Sequence, residues 1–426
     1  MNYAFHTFGC RLNRAEALEQ EAAVLAAGHS VVPVGPDANV IVVRGCSVTA
    51  RAQRDCEKTI GALKSQYPWV QVVVTGCYPG VRGQTLPGIL AHPPPDGAVP
   101  MRTARAYLKA QDGCACACTF CTVPHYRGDP ASVPLGKVLA KAKAFLSAGY
   151  REIVLTGCNL SLYRDSGTGL GGLLSALAEL PSSGHRVRLG SLEPGVCDDS
   201  VVEAFASHAN ICKFLHLCIQ SGSDRILAAM KRPYTSAGVV ETVRKAKLAV
   251  PGIAIGADMI TGFPGETEDD FNMSKGLVSG LGVVNAHVFP FSERPGTVAA
   301  TLPDQVDREV RHERARALND IATANRAEFA SLFKGQTVEV CVEADLTAPR
   351  HLHGRHHRHH AGQGSIDRGK IVPRTEMDDG ALCAGWTSEY LPCRITDRFA
   401  PRRQIVKVHV AEVSGDILRG VIVDAR

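Results

Sequence analysis

The chain has 426 residues, of which 45% are hydrophobic and 21% charged, values ordinary for a globular protein with roughly two to four domains. Its formal charge of +5 admits a nucleic-acid partner without requiring one. No apolar run reaches the length of a membrane span, and the start, MNYAFHTFGC, lacks the basic and apolar pattern of a signal peptide. The expected location is therefore the cytoplasm, with no membrane partner. There, 15 cysteines argue for metal ligation or redox chemistry rather than disulfides.

Residues 1–95 read as a small α/β unit, a flavodoxin-like open parallel sheet. YAFHTFG, NVIVV and VQVVVTG are short β-prone runs. Helical stretches lie between them, RAEALEQEAAVLAAG and TARAQRDCEKTIGALKSQ, the first with Asn13 as its expected cap and Gly28 as its close. Cys10, Cys46 and Cys77 each follow one of these strands. Strand C-termini of an open parallel sheet share one edge, where ligands bind, so the three thiols should converge. Gly9, Gly45 and Gly76 precede them and would let the backbone approach a bulky ligand. The competing reading is three buried small hydrophobes.

HPPPDGAVP, residues 92–100, reads as a stiff linker. Residues 96–330 then alternate strands and helices. The strands expected are ARAYLKA, EIVLTG, RVRLGS, KFLHLCI, IAIGADMI and VVNAHVF, with PLGKVLAKAKAFLSAG and SDRILAAMKR among the helices. Repeats of this kind predict a full or partial parallel barrel whose functional face lies at the strand C-termini. The first strand runs into DGCACACTFCTVPHYRG, with Cys114, Cys118 and Cys121 spaced C-x3-C-x2-C. Three thiolates can hold a four-iron cluster and leave one iron open for a small molecule. A zinc site would want a fourth ligand, and none is evident nearby. Cys116 offers another register but is read as a loop residue. Later strands end near Gly157, Cys158 and Asn159, near Ser191 and Glu193, and near Gln220 and Ser221, while Asp258 lies in the fifth strand. These polar residues are candidate ligand contacts, each also compatible with a cap or a turn. His125, Cys158, Cys197, Cys212 and Cys218 are assigned to packing or structural roles.

Residues 332–426 change texture. FKGQTVEVCVEADL, GWTSEYLPCRI and RQIVKVHVAEVSGDILRGVIV alternate apolar and polar residues as half-buried strands do, which predicts a small β-barrel. Trp386 and Tyr390 are candidates for base stacking, with packing as the competing role. Lys334, Arg394, Arg398, Arg402, Arg403 and Lys407 form the candidate phosphate patch. Cys341, Cys383 and Cys393 read as ordinary strand residues. An irregular stretch from Ala348 to Gly380, containing HLHGRHHRHH, interrupts this domain and reads as a solvated loop.

C-x3-C-x2-C with Phe120 before its last cysteine resembles the radical S-adenosylmethionine (SAM) enzymes. TFGCRLN, the segment around GCSVT, and TGCYPG extend the resemblance to the radical SAM methylthiotransferases over nearly the whole chain. One departure is Arg44-Gly45, where that family usually has Asn-Thr. The resemblance implies a central radical SAM barrel, a TRAM-like RNA-binding C-terminal barrel and two [4Fe–4S] clusters. Cys114, Cys118 and Cys121 would hold the cluster that binds and cleaves SAM. Cys10, Cys46 and Cys77 would hold an auxiliary cluster that supplies sulfur. Gly157, Asn159, Ser191, Glu193, Gln220, Ser221 and Asp258 would be SAM or substrate contacts.

Within the family, FLHLCIQSGSDRILAAMKRPYT, EIVLTGCNLSLY and HVFPFSERPGT most resemble the branch acting on N6-threonylcarbamoyladenosine in tRNA. The implied reaction removes hydrogen from C2 of the adenine with a 5′-deoxyadenosyl radical and installs sulfur there. A second SAM then methylates that sulfur. The implied partners are tRNA, a sulfur donor and a reductant such as flavodoxin or ferredoxin. The alternatives are methylthiolation of N6-isopentenyladenosine or of a ribosomal-protein aspartate, and, more remotely, an iron–sulfur electron carrier or scaffold.

Overall fold

The computed structural model describes residues 1–78, 103–182, 184–196, 198–345, 381–397 and 400–425. The linker at 92–100, the stretch 348–380, Cys197 and Arg398 lie outside the described residues.

The chain opens with β1 (Asn2–Thr7), α1 (Arg11–Ala26), β2 (Ser30–Val31), β3 (Val40–Gly45), α2 (Ala50–Gln66) and β4 (Gln71–Gly76). The strands form a parallel sheet in the order β2-β1-β3-β4. β3 is VIVVRG and is buried along its length, as a central strand covered on both faces should be. Gly45 pairs with Gly76, so Cys46 and Cys77 leave the sheet side by side. On one face, Ala15 and Leu18 of α1 pack against Tyr107 and Val154 of the central domain. On the other, Cys56 and Leu63 of α2 pack on Ile41 and Val43. Asn13 does not cap α1: Cys10 holds that position, and Asn13 is buried one turn inside the helix.

The central region contains β5 (Ala106–Asp112), α3 (Val123–Arg127), β6 (Ala131–Ser132), α4 (Leu135–Ser147), β7 (Glu152–Gly157), α5 (Leu170–Ala178) and β8 (Arg186–Arg188). It continues through α6 (Asp199–Ser207), β9 (Phe214–Gln220), α7 (Asp224–Ala229), α8 (Ser236–Ala249), β10 (Ala254–Thr261), α9 (Glu268–Gly280), β11 (Val283–Pro290) and α10 (Arg308–Ser331). β5-β7-β8 and β9-β10-β11 run parallel, and single bridges at Val187–Ile211 and Leu192–Leu217 join the two groups. The result is the partial βα barrel expected from the sequence. Its main core joins Leu108, Ile153, Leu155, Leu215, Leu217 and Ile255 of the strands to Phe145, Leu173, Leu174 and Val243 of the helices.

β12 (Thr337–Asp345), β13 (Cys383–Thr387), β14 (Pro392–Ile395), β15 (Ile405–Ser414) and β16 (Ile417–Ala425) form a closed barrel in the order β12-β13-β14-β16-β15. Closure pairs every edge, which suits a domain too small to cover one. Cys341, Cys383 and Cys393 are buried in these strands, as expected.

This barrel docks under the N-terminal ends of the central strands. Trp386 and Tyr390 stack with centroids 4.7 Å apart and pack with Phe214, Ala254 and Val284. They are 6% and 4% exposed, which corrects the stacking role read from sequence: the interface between the barrels consumes both rings. The expected phosphate patch shrinks as well. Arg394 is buried, and Arg403 donates to Thr103 O and lies over the Tyr150 ring, whereas Lys334 and Arg402 stay exposed.

Candidate functional site

Both cysteine sets open onto one cavity of about 400 Å³ at the C-terminal ends of the parallel strands. Cys10, Cys46 and Cys77 line it from the first sheet, and Cys114, Cys118 and Cys121 from the loop after β5. Gly157, Asn159, Ser191, Glu193, Gln220 and Asp258 line it too. Ser221 is not among the lining residues. It is fully buried, and its Oγ accepts from Ser223 N and lies 3.5 Å from Ser274 Oγ.

Local backbone explains how the N-terminal thiols meet. Gly9 has φ of +87°, and a Cβ there would sit 2.8 Å from Cys46 Sγ, so a side chain at this position would displace that thiol. A Cβ on Gly45 would meet Tyr78 at 2.9 Å, which accounts for glycine in the pair that departs from the family pattern. Asn13 Nδ2 donates to Phe8 O (2.8 Å) and Gly45 O (2.9 Å), stapling the turns that carry Cys10 and Cys46. The predicted cap is thus a cross-brace.

Each cysteine set also receives an arginine. Arg127 Nε lies 2.8 Å from Cys77 Sγ, and Arg232 Nη1 lies 2.9 Å from Cys118 Sγ. Backbone N–H groups of Cys116 and Val123 donate to Cys114 Sγ and Cys121 Sγ, both at 3.4 Å. Donors aimed at sulfur favour thiolates, which is the form that binds iron. Without a cation, Cys46 and Cys121 resist ionisation. Burial and the neighbouring cysteines push Cys46 up to about 12, and burial pushes Cys121 up to about 11. A polynuclear cation would reverse that preference, so each donor set fits a cluster held by three cysteines.

The rest of the lining is polar where the barrel strands end. Glu193 Oε1 pairs with Arg232 at 3.1 Å, and its Oε2 accepts from Asn159 Nδ2 at 3.0 Å. Cys116 Sγ lies 3.5 Å from the same carboxylate, and burial followed by Glu193 pushes this thiol up to about 12. Gln220 has φ of +70°, a left-handed backbone rare outside glycine and concentrated at functional sites.

Asp258 Oδ1 accepts from His216 Nε2 and His287 Nδ1, each at 3.0 Å, and Cys218 Sγ donates to Oδ2 at 3.3 Å. Burial would raise this carboxyl, but the two imidazoles outweigh it and hold it well below the usual carboxylate range. His287 lines the cavity beside it. Cys158 and Cys218 line the cavity as well, which corrects their assignment to packing, whereas Cys212 is buried as expected.

The sequence reading missed His216, His287, Arg127 and Arg232. Period-two alternation carried the signal for the first: in FLHLCIQ, His216, Cys218 and Gln220 share one side of β9, with Leu215, Leu217 and Ile219 on the other.

Comparison with known proteins identifies the family. The radical SAM superfamily model matches residues 108–277, and the uncharacterized protein family UPF0004 matches residues 2–92. Threonylcarbamoyladenosine tRNA methylthiotransferase MtaB of Bacillus subtilis (strain 168) is 32% identical over 80% of this chain and 84% of its own length. A tRNA-2-methylthio-N(6)-dimethylallyladenosine synthase of Cereibacter sphaeroides is 30% identical over 86% of this chain and 94% of its own length. Among solved structures, the radical SAM methyltransferase TsrM of Kitasatospora setae superposes with a TM-score of 0.52 at 13% identity, over 70% of this chain and 77% of that one, which supports the fold alone. Among the described residues, no helix is long and apolar enough to cross a membrane. Family membership implies one [4Fe–4S] cluster and SAM. With the cysteine loop at the head of a parallel barrel and relatives matched along four fifths of its length, the chain belongs to the radical SAM methylthiotransferase family.

Proposed function

We propose that the chain inserts a methylthio group at C2 of N6-threonylcarbamoyladenosine beside the anticodon of tRNA, using two SAM per turnover. The observation that carries this reading is the opening of two three-cysteine sets onto one cavity. When bound, a cluster on Cys114, Cys118 and Cys121 would supply the electron that cleaves SAM, and a second on Cys10, Cys46 and Cys77 would supply sulfur. The chain's own residues hold the parts in register. Arg232 is tied to Cys118 and Glu193 together and so fixes the polar wall against the SAM-binding loop. Asn159 reaches Glu193 from the next strand, and Asn13 braces the sulfur-donating side. Phe120, Phe289 and Phe291 line the cavity and limit water around the target base.

Two observations favour the threonylcarbamoyl substrate: the MtaB relative, and the Asp258 carboxylate with His287 beside it at the cavity wall, suited to the N–H groups of a urea-type arm. The runner-up substrate, dimethylallyladenosine, is favoured by relatives of similar identity named for it. A ribosomal-protein aspartate is a third possibility that no relative named above supports. The reading further takes 1–95, 96–330 and 332–426 as sulfur-donating, radical SAM and TRAM-like RNA-binding domains. It requires a flavodoxin- or ferredoxin-type reductant, a sulfur donor and a cytoplasmic location.

The test is mass spectrometry of tRNA nucleosides from a methylthiotransferase-null strain carrying this chain. The 2-methylthio form of threonylcarbamoyladenosine should return. Return of only the 2-methylthio form of dimethylallyladenosine, the isopentenyl nucleoside, would reject the substrate and keep the chemistry.

A further inference from the structure

Arg127 stands between the two cysteine sets. It is the last residue of α3, the short helix that leaves the Cys114–Cys121 loop, yet its guanidinium reaches the other set. Its side chain is 8% exposed. Nε points to Cys77 Sγ at 2.8 Å. Nη1 donates to Glu16 Oε1 and Asp112 Oδ1, both at 2.9 Å. Nη2 donates to Asn13 Oδ1 at 3.0 Å and Glu16 Oε2 at 3.1 Å. Every nitrogen of the fork is engaged, and the planar geometry fixes which one faces sulfur.

The surrounding charges give this contact its sense. Glu16 also pairs with Arg44 at 2.5 Å and Lys109 at 2.7 Å, and Lys109 pairs with Asp112 at 2.5 Å. Three cations thus face two carboxylates and leave one positive charge in excess beside Cys77. Asp112 ends β5, the strand feeding the Cys114 loop, and Glu16 and Asn13 lie on α1 behind Cys10. One side chain therefore sets the spacing of the two cysteine sets and supplies charge at a single auxiliary sulfur.

We propose that Arg127 is a positioning residue for the auxiliary site, holding the Cys77 sulfur in place and raising the reduction potential of a cluster bound there. A hydrogen bond and a positive charge at a ligating sulfur stabilise the more negative, reduced cluster, so their loss makes reduction harder. The inference rests on the reading of Cys10, Cys46 and Cys77 as an auxiliary site.

The test isolates that site by replacing Cys114, Cys118 and Cys121 with alanine in the full chain. Arg127→Gln and Arg127→Lys are then added separately, and each protein is reconstituted anaerobically. Iron content, thermal unfolding and the midpoint potential from an EPR-monitored redox titration are compared. Arg232→Gln in the same background serves as a control, because its contact is to Cys118. Expected is retained iron, a clear shift to more negative potential for Arg127→Gln, a smaller shift for Arg127→Lys and none for Arg232→Gln. An unchanged potential in the iron-loaded Arg127 variants overturns the role of Arg127, whereas loss of iron from both with the fold intact shows that the Cys77 sulfur depends on it. Absence of iron before Arg127 is altered removes the auxiliary site itself, and this role with it.

Discussion

The two ends of the central strands use the same chemistry, buried guanidinium against carboxylate, to different ends. At the N-terminal ends, Glu152 is fully buried and holds Arg186 Nε and Arg188 Nε at 2.7 Å each, with Arg105 at 3.8 Å. Their remaining donors go to the C-terminal barrel: Arg186 to Trp386 O and Glu339 O, Arg188 to Thr387 O and Ser388 O, and Arg105 to Glu343. Burial alone would raise the Glu152 carboxyl, but the arginines outweigh it and hold it far below its usual range. That cluster ends on four backbone carbonyls and the Glu343 carboxylate of the barrel and locks two domains together. At the C-terminal ends, the cluster around Arg127 ends on a thiol and borders the cavity. A polar network that ends on the acceptors of another domain builds an interface, whereas one that ends on a reactive sulfur conditions a site.

The contrast breaks most visibly at Glu152. Replacing it with alanine leaves buried guanidinia without their carboxylate and should cost about 3–5 kcal/mol of stability in chemical denaturation. A loss below about 1 kcal/mol would mean that the barrel carbonyls hold the arginines unaided. Asp112→Asn tests the opposite end. Asp112 is partly exposed, at 28% of its side chain, so the cost should be near 1 kcal/mol. Methylthio product should fall while SAM cleavage persists, and equal loss of both would erase the distinction between the two cysteine sets. The smallest effects belong to the exposed basic residues of the C-terminal barrel. Lys334→Ala and Arg402→Ala should each weaken tRNA binding modestly and lower its salt dependence by about one phosphate contact. Unchanged binding in the double variant would argue that this barrel only braces the core. Substitution is the better probe here, because deleting 332–426 would also uncover the Glu152 cluster.

Much of the architecture is legible in the sequence. Six apolar runs of strand length, separated by amphipathic helices, give the partial barrel. Glycine before each of Cys10, Cys46 and Cys77 points to one sheet edge. The limits of that legibility are physical. Arg127 and Cys77 are far apart in sequence, and an arginine after a cysteine loop looks like any exposed cation until the domains meet. Trp386 and Tyr390 have the composition of a stacking platform, and only the docked interface turns them inward. His216 and His287 belong to different strands, and register alone brings both to Asp258. Asn13 looks like a cap because it begins a helical run, yet its amide is worth more bridging two buried carbonyls than ending a helix.

The central claim is that two cysteine sets share one cavity and divide the work. The direct measurement is iron content together with anaerobic SAM cleavage and product formation in two triple variants. About eight irons per reconstituted chain should fall to about four in each variant, as expected for two four-iron sites. Replacing Cys10, Cys46 and Cys77 with alanine should leave SAM cleavage but stop sulfur insertion, whereas replacing Cys114, Cys118 and Cys121 should abolish SAM cleavage. Loss of SAM cleavage in both, with the fold intact, would contradict the division.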